Sequence, residues 1–325
     1  MVLSVVAIAV FGLRFGIDFT GGTLLEVTYP ADRPAMTEVE EAITELDIGA
    51  FSLRPIDTQG FLLRSRELDE EVRPRVEDAL ALGGGVAMEV VRLNTVGPIV
   101  GVELRNKSFV AISVVLVIII LYIAFAFRTV SVRTNTEEEA LQPISRSERR
   151  RNRREQAEAE EQARSAKRPS VGVSSWHYGV VAVITLFHDI IIPLGVFAVL
   201  GGLMGVELDI LFVMALLAIL GYSVNDTIVV FDRVRENLRA NAERDIEEPF
   251  ADVVGRSLEQ TYARSINTSL TTLFVLLALL FLGGSATTFF ILALTVGVIA
   301  GVFSSIAFAS PLLVVIEERL ASKKQ

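Results

Sequence analysis

Apolar residues in this chain do not recur at the three-to-four spacing of a water-facing helix. They gather into continuous runs, and six stand out: Val2 to Phe15, Phe109 to Phe127, Tyr178 to Leu200, Leu208 to Phe231, Ile266 to Leu282 and Thr288 to Ile316. About 20 apolar residues wound as a helix cross the roughly 30 Å hydrocarbon core of a bilayer. The pattern therefore predicts a polytopic α-helical membrane protein with six transmembrane helices. Residues 1–15 are short for a span but lack the charged start and small-residue exit of a cleaved signal peptide, so they read as a first transmembrane helix clipped at its N-terminus.

The periodicity changes between the first and second spans. Thr23 to Tyr29 alternates as a strand does, and Thr37-x-x-Glu40 has the form of a capping box opening an amphipathic helix to Leu46. Phe51 to Ile56 and Phe61 to Arg64 flank the turn Asp57-Thr58-Gln59-Gly60 and predict a hairpin. Leu68 to Leu82 reads as a second helix despite Pro74, Gly83 to Gly85 end it, and Val86 to Leu93 is a last strand. The order β-α-β-β-α-β is that of a small α+β ferredoxin-like domain, over 16–107. The second span then occupies 108–128. A charged insert follows at 129–170, helical or disordered because its Arg, Glu and Ala offer no large apolar face. Residues 171–325 hold spans three to six, with a cytoplasmic loop at about 233–263.

Charge orients these spans. Arg and Lys crowd the connections after the second and fourth spans and the C-terminal tail, whereas the turns Gly201 to Glu207 and Gly283 to Thr287 have none. The positive-inside rule then places both termini in the cytoplasm and the 16–107 domain outside. The remaining composition chiefly excludes. Hydrophobic residues make up 51% of the chain, and the mean hydropathy is +0.51. A net charge of -9 without a basic, aromatic-interleaved patch argues against nucleic acid. With no Cys and two His there is no disulfide framework and no basis for a multi-His metal site, and no phosphate-binding loop or nucleophile motif points to an enzyme. Work would have to be drawn from an ion gradient or a partner, and no cofactor is expected.

Candidate chemistry lies where polar groups interrupt the spans. Asp226, in Gly221-Tyr222-Ser223-Val224-Asn225-Asp226-Thr227, costs about 2.5 to 3.5 kcal/mol at a bilayer centre, so an ion or proton site is its default reading. It lies about 9 Å inward from Asp232, the expected cytoplasmic exit. Static hydrogen bonding between helices is the other reading. The third span holds His188 and Asp189 ahead of Pro193, which crowds the carbonyl of Asp189 and predicts a kinked or loosened helix. That pair reads either as relay or as structural support. In the fifth span Arg264, Thr268 and Thr272 share one face, as do Asn267 and Thr271, so Asp226 could meet Arg264 or Asn267. Arg264 could equally snorkel to the interface. Trp176, His177 and Tyr178 read as an interfacial belt. The pairs Gly12 and Gly16, Gly201 and Gly205, and Gly297 and Gly301 mark close packing or turns.

Several motifs, in order, resemble the SecD/SecF family of protein-export membrane subunits. They are Gly16-Ile17-Asp18-Phe19-Thr20-Gly21-Gly22 after the first span, Val96-Gly97-Pro98-Ile99-Val100-Gly101-Val102-Glu103-Leu104 before the second, and His188-Asp189 in the third. The run from Gly221 to Asn237 and the run from Arg264 to Thr272 complete the set. The resemblance implies one six-helix half of a resistance-nodulation-division transporter core, paired with a SecD-like half. It implies a multi-pass subunit of a bacterial or archaeal plasma membrane, working beside the SecY/SecE/SecG channel on a translocating unfolded polypeptide. Export after the ATP-driven step would draw on the proton motive force. An acid of the fourth span and an Arg of the fifth would serve the proton, here Asp226 and Arg264, with Asn225, Asn267, Asp189 and His188 as further pathway candidates. Gly16, Asp18, Phe19, Gly21 and Gly22 carry the motif at the junction with the outward domain. The alternatives are a half-transporter for lipids or small molecules and a passive scaffold. The charged insert departs from the family's short connection, so no role is carried over to it.

Overall fold

A computed structural model describes residues 1–56, 58–127, 175–244, 246–284 and 287–321. The expected insert at 129–170 lies outside them. Contacts divide the chain into two compact units. The first comprises Met1–Ile118, Leu186–Val224 and Thr268–Val302; the second comprises Ile119–Thr185, Asn225–Asn267 and Phe303–Gln325.

The first unit contains the one sheet among the described residues. After helix α1 (Val2–Phe11) and a single turn α2 (Ile17–Thr20), the chain runs β1 (Gly22–Thr28), α3 (Met36–Thr44), β2 (Phe51–Ile56), β3 (Gly60–Ser65), α4 (Arg73–Leu80) and β4 (Glu89–Val96). The strands lie in the order β2-β3-β1-β4 and every pairing is antiparallel. Alternation assigns the two faces. Leu25, Val27, Phe61 and Leu63 point to one side, where they form a closed core with Val39 and Ile43 of α3 and Val76 and Leu80 of α4. Tyr29 closes its end, stacked edge-on against Phe61 at 5.9 Å and donating its hydroxyl to the Leu80 carbonyl at 2.9 Å. Burial pushes that hydroxyl's pKa up to about 12.

Two expected helix starts shift for local reasons. Thr37 and Glu40 form no capping box: Ala35 takes the N-cap position in extended geometry, α3 begins at Met36, and Thr37 is already inside the first turn. Pro74 sits in the first turn of α4 instead of interrupting a longer helix, because a first-turn residue needs no N–H. Leu68, expected inside that helix, is instead a buried core residue whose N–H donates to the Thr23 hydroxyl at 3.0 Å.

Among the described residues five helices are long and apolar enough to cross a membrane: α5 (Pro98–Ala126), α6 (Ser175–Met204), α7 (Ile210–Glu243), α8 (Phe250–Leu282) and the stretch Thr288–Arg319. That last stretch consists of α9 (Thr288–Phe303), a wide π-helical turn at Ser304–Ala309 and α10 (Ser310–Ala321). Helix α1, with 10 residues, rises about 15 Å, half of a bilayer core. Helix α6 runs unbroken through Pro193. The connection expected at 233–263 is much shorter, since α7 continues to Glu243 and α8 begins at Phe250. Past the apolar run these two helices stay together through polar contacts: Asn237 donates to Ser257 at 2.8 Å, and Arg256 to Glu248 at 2.6 Å.

Within the first unit α9 packs closely on α7. A Cβ on Gly297 would collide with the Ile219 side chain, and one on Gly301 would stand 3.2 Å from the Ser223 Cβ. The pair is thus a packing seam of the small-residue kind.

Candidate functional site

Two groups of buried polar residues in the long helices contain the candidate acids. The first lies in the first unit. Asp189 is fully buried, at 0% exposure, and is held from two directions. Its Oδ1 is 2.9 Å from His188 Nδ1, and its Oδ2 accepts the Ser223 hydroxyl of α7. A carboxylate held by such partners is a satisfied buried acid. The residue before Ser223, Tyr222 of α7, donates to Ser269 of α8 at 3.0 Å.

The second group lies in the second unit. Asp226 is 5% exposed, and the next residue, Thr227, shares a hydrogen bond with Ser305 at 3.1 Å. Ser305 belongs to the π-helical turn, whose widened backbone is a feature often found at functional sites. Its carbonyl accepts the Ser310 hydroxyl at 3.3 Å. Ser304, Ser305 and Ser310 are all buried. Sequence reading passed over them, although three serines in an apolar span were the available signal.

The remaining candidates are placed differently. Asn225, Arg264 and Asn267 are exposed on their helices. The buried polar face of α8 carries Ser257, Thr261, Ser265 and Ser269 at four-residue intervals, rather than Arg264, Thr268 and Thr272. Helical spacing had shown which residues share a face without showing which face turns inward. Tyr178 does not join an interfacial belt: it is fully buried, stacked on Phe127 at 5.1 Å and packed against Phe231. Its neighbour His177 reaches Glu317 of α10 at 2.7 Å, while Trp176 is exposed.

The motif residues build a third cluster, in the first unit, where the sheet meets the turn before α7. Asp18 accepts the N–H of Ile210 at 3.0 Å, and Asp209 accepts that of Phe212 at 2.8 Å. Both carboxylates therefore satisfy N–H groups that the first turn of α7 leaves without helical partners. Arg64 of β3 pairs with Glu207 and also donates to Thr20 at 2.9 Å and to the Phe15 carbonyl at 3.2 Å. Arg54 of β2 donates to the Gly205 carbonyl at 2.7 Å. Gly205 has φ +72°, and the Arg54 guanidinium fills the space a Cβ would need. A cavity of about 520 Å³ lies beside this cluster, walled by Leu24, Glu26, Leu62 and Arg92 of the sheet and by Phe289 and Phe290 of α9. Apolar side chains and charged groups both line it. Arg54, Arg64, Glu207 and Asp209 gave no sequence signal beyond their position on the sheet face opposite the core or in a short turn.

Comparison with known proteins follows the same order along the chain. A family profile described as "Protein export membrane protein SecD/SecF, C-terminal" matches residues 76–132 and 173–319. A second, "SecD/SecF GG Motif", matches 6–29. The protein translocase subunit SecF of Thermobaculum terrenum is 36% identical over 317 residues, covering 94% of this chain and 84% of that one. The SecF subunit of Vibrio alginolyticus is 35% identical over 320 residues, with coverage of 95% and 82%. Among solved structures, SecDF from Thermus thermophilus superposes with a TM-score of 0.71 at 30% identity, over 100% of this chain. A super-membrane-facing form of SecDF gives 0.60, also at 30% identity. This chain spans 37% of the length of each SecDF chain.

Proposed function

The chain belongs to the SecD/SecF protein-export family, and from that membership we propose that it is a SecF-like subunit, pairing with a SecD-like chain and coupling proton movement to protein translocation. The observation that carries the coupling is burial: Asp189 and Asp226 are 0% and 5% exposed in helices apolar enough to cross a membrane. An ionisable group so placed is expensive unless it carries charge through its cycle. In this reading Asp226 is the acid of the pathway. His188 and Asp189 are further candidates of the pathway, and Arg264, Asn225 and Asn267 are exposed on their helices. Exposure of those three in the single chain supports a pathway completed by a second subunit.

The same reading makes α1 the sixth span and both termini cytoplasmic. The β2-β3-β1-β4 order supports a ferredoxin-like fold for the 16–107 domain, placed outside. Working beside the SecY/SecE/SecG channel, the domain would act on polypeptide that the ATP-driven step has already delivered. The protein is a transport component rather than an enzyme, and protons take the place of a cofactor.

Asp226→Asn tests this in membrane vesicles carrying the whole complex. Insertion and copurification with the SecD-like partner are expected to stay at parental levels, while the part of export that depends on the proton gradient falls at least about tenfold, the effect of about 1.4 kcal/mol or more on the coupled step. Gradient-stimulated export at the parental rate would leave the passive scaffold as the better reading.

A further inference from the structure

The export reading uses the buried acids and leaves the Gly16–Gly22 motif without a task. The contacts of that motif are unusually long-range. As the chain leaves α1 it lies parallel to the turn before α7: Gly16 N–H donates to the Leu208 carbonyl at 2.7 Å, and Leu208 N–H to the Arg14 carbonyl at 2.7 Å. Two residues later Asp18 takes the N–H of Ile210, the first residue of α7, from 192 positions away. A helix start is ordinarily capped by its own neighbours, as Asp209 does here for Phe212. Asp18 is a second cap, delivered from the single turn α2 that precedes the sheet.

The other end of the motif is fixed just as tightly. Gly21 has φ +75°, and a Cβ there would stand 2.6 Å from the Pro98 Cα at the start of α5. A Cβ on Gly101 would stand 2.7 Å from Gly21 N. Gly22 pairs with Val96 in the sheet, so β1 and β4 leave the knot side by side. From the sheet, Arg64 binds Glu207, Thr20 and the Phe15 carbonyl together. The starts of β1, α5 and α7 are thereby joined within one unit by backbone, cap and ion pair.

We propose that the Gly16–Gly22 motif is a mechanical joint in which Asp18 and Arg64 are positioning residues, holding the start of α7 to the outward domain so that displacement of the domain reaches the helix carrying Asp226. This deepens the export reading and rests on it for the purpose of the motion, while the joint itself rests on the contacts above. Neither residue touches a proton in this scheme. Each acts through the position of α7.

The full chain with its partner, in vesicles, tests the joint. Asp18→Ala removes the second cap and is expected to lower gradient-stimulated export about fivefold, the population effect of losing a cap of about 1 kcal/mol. Asp18→Asn keeps an acceptor oxygen and is expected to restore most of it. Arg64→Glu and Glu207→Arg are each expected to impair coupling, and the charge-swapped pair to recover it. Amide hydrogen exchange at Ile210 to Phe212 supplies a readout independent of export, expected to rise about fivefold in Asp18→Ala and to stay near parental in Asp18→Asn. Unchanged exchange in Asp18→Ala overturns the joint, as does Asp18→Asn behaving like Asp18→Ala. Loss of export in step with loss of assembled complex also overturns it, because the role would then be structural. Asp226→Asn run alongside separates the two ideas: if it too leaves coupling intact the export reading fails, and exchange at α7 still decides the joint.

Discussion

In the sheet domain burial follows hydrophobicity; in the long helices large apolar side chains also stand exposed while acids and hydroxyls are enclosed. Leu25, Phe61 and Leu63 are sealed between the sheet and α3 and α4, and the opposite sheet face carries Glu26, Arg54, Arg64 and Arg92. Along the long helices Phe281 is 79% exposed and Phe125 is 74% exposed, whereas Asp189, Ser223 and Ser304 are buried. The same chain thus follows two solvents. Water rewards the burial of apolar surface. Lipid is as apolar as the side chains it meets, so what is worth enclosing there is the polar group, and the interior of the helices becomes the place for hydroxyls and acids.

The largest expected effect uses one residue type in both settings. Phe61→Ala removes a fully enclosed ring and should weaken the domain by about 3 to 5 kcal/mol, transfer and cavity costs together. Phe281→Ala removes a ring from an apolar helix surface and should change stability by no more than about 0.5 kcal/mol. Local hydrogen exchange in the intact chain reads both. Equal losses at the two positions would break the comparison, since Phe281 would then be a core residue.

A smaller effect follows from inserting charge at matched exposure. Ile118 of α5 is 58% exposed and sits midway along an apolar run; Val91 of β4 is 55% exposed in the domain. Ile118→Arg should cost about 2.5 to 3.5 kcal/mol of membrane insertion. Val91→Arg should stay within about 0.5 kcal/mol, because water solvates the new guanidinium. A glycosylation or protease-protection assay of insertion, with folding of the domain followed in parallel, distinguishes them. Similar outcomes would mean that the α5 surface faces water or a polar partner.

How much could be read from the sequence divides along the same line. Alternation in β1 and the turn before β3 located the sheet because strand periodicity is local and one face must be apolar. Run length located the long helices for an equally local reason. What the residues could not tell was rotation. On α8 the favoured face held Arg264 and Thr268, but the buried one holds Thr261, Ser265 and Ser269, and only packing against other helices decides between two polar faces. The Asp18 cap on Ile210 was out of reach for a related reason, since nothing local to either residue names the other. Asp189 and Asp226 were legible because an acid in an apolar run is conspicuous whichever way it turns.

The smallest predicted effect lies in the turn between these regions, where Asp209 is neither in water nor enclosed. Burial pushes its carboxyl above the usual carboxylate value, and Asp18 nearby pushes the same way, against the Phe212 N–H and Arg92. A folded-state pKa raised above the unfolded one means that folding favours the neutral acid. The resulting contribution to stability is fully present below the unfolded value and is lost as pH rises through the folded one. At neutral pH the charged carboxylate therefore brings no such benefit, although it still caps Phe212. Asp209→Asn keeps an acceptor oxygen without the charge, so at neutral pH it should match or slightly exceed the parent, by less than about 1 kcal/mol, the scale of a single hydrogen bond. On acidification the parent gains its proton and the difference should close. Exchange protection at the start of α7, corrected for the intrinsic pH dependence of exchange, measures this at each pH. A parent more stable than Asp209→Asn at neutral pH would show that the turn relies on the charge itself, as a water-exposed helix start does, and would move this turn into the domain's side of the comparison.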